Sequence, residues 1–337
     1  MNQFGRYFRI TCFGASHGPC IGVVMDAPKA GIPLSPEDFE AALARRRGGR
    51  LGTTPRVEAD VPVFLSGVAN GYTTGAPLTV IFENRNQRSR DYDGLKQVPR
   101  PGHADWVAGV RYQGYQETAG GGVFSGRMTL ALVAAGVVAQ KMLPASLSIG
   151  AKVVELGGLP VQDESAPAAE TLLETCRCEG DSLGAVVECS CEGVPVGLGE
   201  PFFDSMESLL AHGIFSIPGV RGIEFGDGFQ AARMRGSEHN DPYTGPGGRT
   251  AKNGAGGING GLTNGNPVVF RVAFKPTSSI SKEQKTWDEA SQAVVGLAIQ
   301  GRHDVCFALR TPVVVESVAA LVLLDCLLAG SDAHVVR

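Results

Sequence analysis

The chain has 337 residues, a formal net charge of −4 and 19% charged residues. This length can bury a sizeable hydrophobic core in one large domain or two small ones. The slightly acidic balance gives no global basic field for binding nucleic acid. Because Arg6 and Arg9 interrupt any N-terminal signal sequence, we expect a cytoplasmic protein whose eight cysteines are reduced thiols. The longest apolar stretch, residues 318–329, is too short to span a membrane and contains Asp325.

Apolar periodicity predicts a mixture of strands and helices without a regular βαβ cadence. The predicted strands cover residues 8–12, 21–25, 78–82, 185–191 and 268–274. The predicted helices cover about 35–47, 125–142, 204 or 205 to 211, and 315–328. Residues 143–185 are predicted to be peripheral, and the glycine-rich stretch 236–257 to form a mobile loop or lid. No linker divides the chain, so we expect a single α+β domain over residues 1–337.

Two histidines lie in loops flanked by glycine, His17 in Gly-Ala-Ser-His-Gly and His103 in Arg-Pro-Gly-His-Ala-Asp. Glycine allows the backbone to approach a ligand closely, and histidine can give or take a proton near neutral pH. Taken singly, each histidine is better explained as a hydrogen-bonding residue that stabilises its loop. The repetition of the same setting favours proton transfer.

Positive charge is concentrated locally. Arginines form two clusters within the first hundred residues. The first consists of Arg45, Arg46, Arg47, Arg50 and Arg56, and the second of Arg85, Arg88, Arg90 and Arg100. Arginine binds phosphate and carboxylate through a bidentate fork, so these residues favour an anionic ligand. The arginines at the end of the first predicted helix are equally consistent with compensation of its dipole.

A second polar segment follows the strand predicted at 268–274. It consists of Lys275, Pro276, Thr277, Ser278 and Ser279. A cation followed by hydroxyl groups suits a phosphate, although an ordinary capped turn would have the same composition.

Asp325 and the cysteines allow further alternatives. Asp325 lies among apolar residues, so its carboxylate either faces solvent or is buried with a partner and can carry a proton. The cysteines at 176 and 178 and at 189 and 191 are spaced C-x-C, and residues 186–191 alternate as a strand does. We therefore expect no metal site at the cysteines. No cluster of histidine and aspartate has the spacing of metal ligands either, which disfavours a metal-dependent phosphohydrolase.

Taken together and in this order, these stretches resemble chorismate synthase over nearly the whole chain. The segments that carry the resemblance are 13–18, 100–105, 121–127, 179–184, 193–203, 222–229, 275–280 and 301–304. The resemblance implies a β-α-β sandwich fold and a homotetramer. It also implies the 1,4-trans elimination of phosphate from 5-enolpyruvylshikimate 3-phosphate to give chorismate, the closing step of the shikimate pathway. This reaction needs reduced FMN but has no net redox change.

The resemblance further implies roles for individual residues. His17 would protonate or stabilise the reduced flavin, His103 would assist phosphate departure, and Asp325 with Ser16 and Ser125 would relay a proton at flavin N5. The positions that match flavin contacts are Ser125, Arg127, Gly219, Gly260, Lys275, Pro276, Thr277, Ser278, Ser279 and Arg302. The positions that match substrate or NADP contacts are Arg46, Arg50, Arg127 and Arg310.

The chain also departs from the family pattern near the expected anion site. Ala15, Ala119 and Val123 stand where the family usually has glutamate, arginine and a basic residue, and Gly254 and Val305 are further departures. If these changes weakened ligand binding, the chain would be a flavin- or anion-binding paralogue with little activity. The retained His17, His103, Ser125, Arg127 and Asp325 favour an active lyase instead. We expect an external reductase to supply the reduced flavin.

Overall fold

The computed structural model describes residues 2–56, 58–85, 98–117, 119–163, 166–299, 301 and 303–332. The helices of this part of the chain are α1 Glu40–Arg46, α2 Asp105–Arg111, α3 Thr129–Met142, α4 Pro167–Cys178, α5 Met206–Ile214, α6 Gly236–His239 and α7 Pro312–Asp332. The first nine strands are β1 Gln3–Phe4, β2 Ile10–Gly14, β3 Cys20–Met25, β4 Val63–Ser66, β5 Val68–Ala69, β6 Tyr72–Thr73, β7 Leu78–Glu83, β8 Ser148–Leu156 and β9 Leu159–Pro160. The others are β10 Ala185–Glu192, β11 Val220–Phe225, β12 Ile258–Asn259, β13 Leu262–Thr263, β14 Val268–Phe274, β15 Gln284–Asp288 and β16 Ala293–Leu297.

Two five-stranded antiparallel sheets enclose a pair of helices. The strand order is β1-β2-β3-β7-β4 in the first sheet and β11-β14-β10-β8-β9 in the second. α3 packs on β3 of the first sheet, α7 packs on β8 and β10 of the second, and α3 and α7 pack against each other. The molecule therefore has the layered α+β arrangement that the sequence predicts.

Helix α7 is apolar on all sides, which is typical of a helix that lies inside a protein. By length and composition Pro312–Gly330 could cross a membrane, yet 72% of its most apolar window is buried within the fold. Its one buried carboxylate, Glu316, is held by both terminal nitrogens of Arg45, at 2.6 and 2.7 Å, and by the Ala151 amide at 2.7 Å. This contact ties α1 and β8 to the central helix.

The five predicted strands correspond to β2, β3, β7, β10 and β14, and the four predicted helices to α1, α3, α5 and α7. The helices at 35–47 and 125–142 each begin with a 3₁₀ turn, so α1 and α3 start later than predicted. β10 and β14 pair from Ala185↔Phe274 to Cys191↔Val268. Cys189 and Cys191 face the core from this strand, as the alternating pattern predicts.

The prediction that residues 143–185 are peripheral is wrong. β8 pairs with β10 inside the second sheet, and its residues Val153 and Leu156 are buried. The pairing register between β8 and β10 shifts at Val186 and Val187 of β10. This irregularity interrupts the alternation of buried and exposed residues by which a sequence pattern would reveal β8. α4 follows, and it buries Ala169, Leu173 and Cys176 along one helical stripe.

One glycine-rich stretch contains more regular structure than predicted. The stretch 236–257, predicted as a mobile loop or lid, contains α6 and an antiparallel bridge between Tyr243 and Thr250. Before this stretch, β11 forms an edge strand of the second sheet.

The two central helices approach closely at Gly136. A Cβ atom there would overlap the side chain of Ser317 and lie 2.6 Å from its Cα atom. We predict that Gly136→Ala forces α3 and α7 apart and lowers the free energy of unfolding by about 1–3 kcal/mol. Urea denaturation measures this loss. Gly150→Ala, at an exposed glycine with no atom near the added Cβ, is the control and should be close to neutral.

Candidate active site

A cavity of about 810 Å³ opens among loops from both halves of the chain. The cationic side chains that line it are Arg46, Arg47, Arg56, Arg100, Arg127, Arg221, Lys275 and Arg310. The carboxylates that line it are Glu58, Asp60 and Asp304. The excess of positive charge favours an anionic ligand, because a half-enclosed site screens these charges less than bulk water does.

Two arginines share one buried carboxylate at the floor of the cavity. Arg46 Nη2 donates to Asp60 Oδ2 at 2.7 Å, and Arg127 Nη2 lies 3.0 Å from Asp60 Oδ1. Burial lowers the pKa of Arg46 to about 10, although Asp60 acts in the opposite direction. One negative charge between two cations leaves a net positive charge at this point.

Unpartnered donors in the cavity wall point to a ligand. Within the described residues, Nε of Arg46, Nε of Arg47 and Oγ1 of Thr277 are among the buried atoms without a hydrogen-bond partner. Each unsatisfied buried polar group costs about 1–3 kcal/mol. A phosphate or carboxylate accepted in the cavity would supply the missing acceptors.

His103 is oriented by a carboxylate that an arginine holds in place. Its Nδ1 lies 2.6 Å from Asp105 Oδ1, and Arg100 donates to both oxygens of Asp105 at 2.7 and 2.8 Å. Burial disfavours the ionised form of Asp105, but the hydrogen bonds from Arg100 and His103 outweigh it and hold the pKa of this carboxyl well below its usual range. A permanently ionised Asp105 selects the form of His103 that carries a proton on Nδ1. Nε2 is then the nitrogen that can exchange a proton with a ligand.

A glycine turn separates the two histidines. Gly120, Gly121 and Gly122 all have positive φ, at 61°, 82° and 52°. A Cβ atom on Gly120 would overlap the His17 ring, and one on Gly121 would lie 3.3 Å from the His103 ring. Only glycine combines this backbone with such close approach to both rings.

Ser16 is buried behind His17. Its Oγ lies 3.2 Å from His17 Nδ1 and 3.1 Å from the carbonyl of Gly120. Ser125 lines the cavity and caps the turn before α3, where its Oγ accepts from the Arg127 amide at 3.2 Å. The backbone amides of both serines donate to the Gly122 carbonyl, at 3.3 and 3.4 Å, so the two serines adjoin the glycine turn.

The structure places Asp325 away from the cavity. Its carboxylate accepts the backbone amides of Arg6, Tyr7 and Phe8 at 2.7–3.0 Å, and so fixes the N-terminal segment to α7. The carboxylate that lines the cavity near the C-terminal helix is Asp304, which accepts from Arg310 at 2.7 and 2.9 Å. Asp304 belongs to the Gly-Arg-His-Asp motif, which is the sequence signal that could have identified it.

The structure brings most of the other expected site residues together. Those that line the cavity are His17, Arg46, His103, Ser125, Arg127, Gly219, Lys275, Pro276, Thr277, Ser278, Ser279 and Arg310. Arg50 donates to the Leu309 carbonyl at 2.8 Å outside the lining, and Gly260 lies in the turn between β12 and β13. Arg302, Arg88 and Arg90 lie outside the described residues.

Sequence reasoning also missed one cation of the cavity, Arg221. Arg100 was grouped with the other arginines, but its contact with Asp105 emerges only when the loop is folded. Arg221 lies at the register shift in β11, between Val220 and Gly222. Such a bulge redirects a side chain, here towards the cavity beside Lys275.

Comparison with known proteins decides the family. Residues 8–328 match the model of the family described as chorismate synthase. The protein belongs to the chorismate synthase family. It is 56% identical over 328 residues to the chorismate synthase of Chitinophaga pinensis, with 97% of each chain covered. It is 45% identical over 346 residues to that of Korarchaeum cryptofilum, with 96% of each covered. A crystal structure of chorismate synthase matches with a TM-score of 0.74 and 28% identity, over 97% of this chain and 93% of the other.

These findings confirm the family, the fold class and the lyase predicted from the sequence, and they do not favour the weakened paralogue. Three of the departures from the chorismate synthase pattern, Ala15, Ala119 and Val123, lie around the glycine turn. Ala15 is buried, and Val123 lines the cavity mouth at 48% exposure. The cavity nevertheless keeps its excess of positive charge.

The glycine turn generates a prediction about turnover. We expect Gly120→Ala to displace the His17 ring and to lower the turnover number at least tenfold, because an added Cβ overlaps that ring. Gly114→Ala is the matched control, since Gly114 also has positive φ, at 81°, but open space around it. Both variants should lose similar stability from backbone strain, about 1–2 kcal/mol. Equal turnover of the two variants would contradict the prediction.

The Asp105 pair generates a prediction about pH. Because the pKa of Asp105 is lowered by folding, its contribution to stability is fully present above the unfolded value of about 3.9. It is lost as the pH falls through the folded value. The difference in unfolding free energy between wild type and Asp105→Asn should therefore be larger at pH 7 than at pH 3.

Urea denaturation at several pH values measures this difference. Asp26→Asn, which removes an exposed ion pair with Arg9, is the control and should change stability by at most about 1 kcal/mol. An Asp105→Asn effect that does not vary with pH would contradict the assigned role of the Arg100 hydrogen bonds.

Proposed function

We propose that the protein converts 5-enolpyruvylshikimate 3-phosphate into chorismate and phosphate. The observation that carries the proposal is a cavity with an excess of positive charge and a histidine on each side of a glycine turn. The substrate carries carboxylates and a phosphate, which arginine binds in a bidentate manner. The elimination breaks the carbon–oxygen bond to phosphate and removes a ring proton, so it needs anion binding and proton transfer in one place.

The residues of the cavity fit reduced FMN as a cofactor. The flavin phosphate would be held by the segment from Lys275 to Ser279, whose Thr277 hydroxyl is buried without a partner in the described chain. Ser125, Arg127, Gly219, Gly260 and Arg302 are the further flavin contacts proposed. When bound, the reduced cofactor supplies electron density transiently while phosphate leaves, with no net redox change.

The two histidines have different proposed tasks. His103, oriented by Asp105, donates a proton through Nε2 to the departing phosphate and so stabilises its negative charge. His17 would hold a proton for the reduced cofactor. The Ser16 Oγ atom lies 3.2 Å from Nδ1 of His17. We propose a proton relay through Ser16 and Ser125. Asp304 is better placed than Asp325 to complete it, because it lines the cavity.

The remaining anionic groups of the substrate are assigned to the arginines. Arg46 and Arg127, which share Asp60, and Arg310, which is fixed by Asp304, are the proposed contacts. Arg50 matches a position of NADP contact in the family but donates to the Leu309 carbonyl in this fold. Arg50 differs from the other three arginines in that it does not line the cavity.

An anaerobic assay tests the proposed reaction. Purified protein is mixed with 5-enolpyruvylshikimate 3-phosphate and chemically reduced FMN, and chorismate is followed by its absorbance. We expect chorismate with reduced FMN and none with oxidised FMN. Binding of both ligands without any chorismate would reject the proposed reaction.

Replacement of His103 tests its role. We expect His103→Asn to lower turnover by about 10²- to 10⁴-fold, the usual contribution of a general acid, while FMN affinity stays within a few-fold. His212→Asn is the control, because His212 does not line the cavity and its ring packs on that of Phe4, with the ring centroids 5.6 Å apart. Unchanged turnover in His103→Asn would remove His103 from the mechanism.

We further propose a cytoplasmic homotetramer of single-domain subunits that receives reduced flavin from an external reductase. Exposed aromatic side chains such as Phe202 and Phe203, at 89% and 92% exposure, support a protein contact surface. Light scattering measures the subunit number. Chorismate formed from NADPH and oxidised FMN by the protein alone would contradict the external reductase.

A further inference from the structure

One side-chain amide joins the His17 loop to the arginine centre. Asn84 follows directly after β7 and is half-buried. Its Nδ2 donates to the carbonyl of Ala15 at 2.9 Å and to that of Gly18 at 2.7 Å. Its Oδ1 accepts from Nε of Arg127 at 2.9 Å. The same rigid group therefore touches both ends of the His17 loop and one cation of the cavity.

The orientation of this amide is fixed by chemistry. If the group were turned over, its NH₂ would face the Arg127 donor and its oxygen would face two carbonyl oxygens. Each of the three contacts would then become repulsive. Only the orientation described satisfies all of them, so the amide behaves as a rigid spacer between the loop and Arg127.

The contacts continue beyond Asn84 on the arginine side. Arg127 lies 3.0 Å from Asp60 Oδ1, and Asp60 Oδ2 accepts from Arg46 at 2.7 Å. The His17 loop is thus connected to the two arginines that share the buried carboxylate. A shift of Asn84 would therefore move both the His17 loop and Arg127, and so change the distance between the proton donor and the anion site.

We propose that Asn84 is a positioning residue that sets His17 relative to Arg127. The proposal deepens the proposed lyase function and rests on it for its effect on turnover. A residue that merely closed the turn after β7 would need only the backbone bond from Asn84 N to the Pro19 carbonyl, at 3.1 Å. The contact of Oδ1 with Arg127 has no part in that turn.

Two variants separate the two ends of the amide. Asn84→Asp keeps an acceptor for Arg127 but replaces the two donors to the His17 loop by an oxygen. Asn84→Ala removes both ends. We expect Asn84→Asp to lower kcat at least about tenfold, with KM within a few-fold of wild type, because the loop is displaced and Arg127 is not. In Asn84→Ala we expect kcat to fall and KM to rise by about tenfold, the effect of one lost charge-assisted contact.

Asn266 provides a matched structural control. Its Nδ2 donates to the Gly248 carbonyl at 2.9 Å and its Oδ1 accepts from the Thr250 amide at 3.1 Å, outside the cavity lining. Asn266→Asp should lose stability as Asn84→Asp does, but its kcat should remain that of wild type. If kcat falls equally in both, the role of Asn84 is structural only and the proposal is overturned.

A readout without turnover keeps this proposal separate from the proposed function. The titration of the His17 ring is followed by NMR in wild type, Asn84→Ala and Asn266→Ala, which add no charge, with His17→Asn to assign the signal. We expect the midpoint to move by at least about 0.5 pH unit only in Asn84→Ala, equivalent to roughly threefold in the proton-binding constant. An unmoved midpoint overturns the positioning role, whether or not wild type forms chorismate. No chorismate from wild type rejects the lyase instead.

Discussion

The arrangement of the cavity depends on the buried pair of arginines that share one carboxylate. Arg46 and Arg127 come from α1 and from the turn before α3, and Asp60 lies between them. The single negative charge neutralises only half of the positive charge, so the folded protein keeps a local charge that an anion can compensate. Burial leaves this charge poorly screened by water. Burial also lowers the pKa of Arg46 to about 10. The site is thus held ready for its ligand at some cost to stability.

The two-sheet architecture keeps this charge in place. α3 and α7 lie between the sheets, and Gly136 allows them to approach closely beside Ser317. The Glu316 contact with Arg45 fixes the end of α1, so the next residue, Arg46, enters the cavity from a rigid position. The loops that carry His17 and His103 then meet at the glycine turn, because its backbone leaves no side chain between the rings. Rigid helices therefore support a site that is built mostly from loops.

Sequence reasoning succeeded where a local pattern reports a local physical property. The alternating strands β10 and β14 and the apolar helix α7 were predicted because their periodicity records burial. The histidines in glycine loops and the segment from Lys275 to Ser279 were predicted as site residues, and they line one cavity. β8 was missed because the register shift opposite it disturbs the alternation. Asp325 was assigned to the site only by the resemblance to the family, because its apolar setting left its partner open. In the structure its partners are the N-terminal amides.

The sequence by itself determined the family, the α+β class and twelve of the residues that line the cavity, because these depend on residue types at fixed spacings along the chain. Only the tertiary structure decided which carboxylate belongs to which cation. Asp105 with Arg100, Asp304 with Arg310 and Asp60 with two arginines are distinguished by distances of 3.0 Å or less. It also decided the position of Asn84, whose amide contacts residues 43 or more positions away. Such contacts depend on how distant loops are brought together by packing, which no local pattern records.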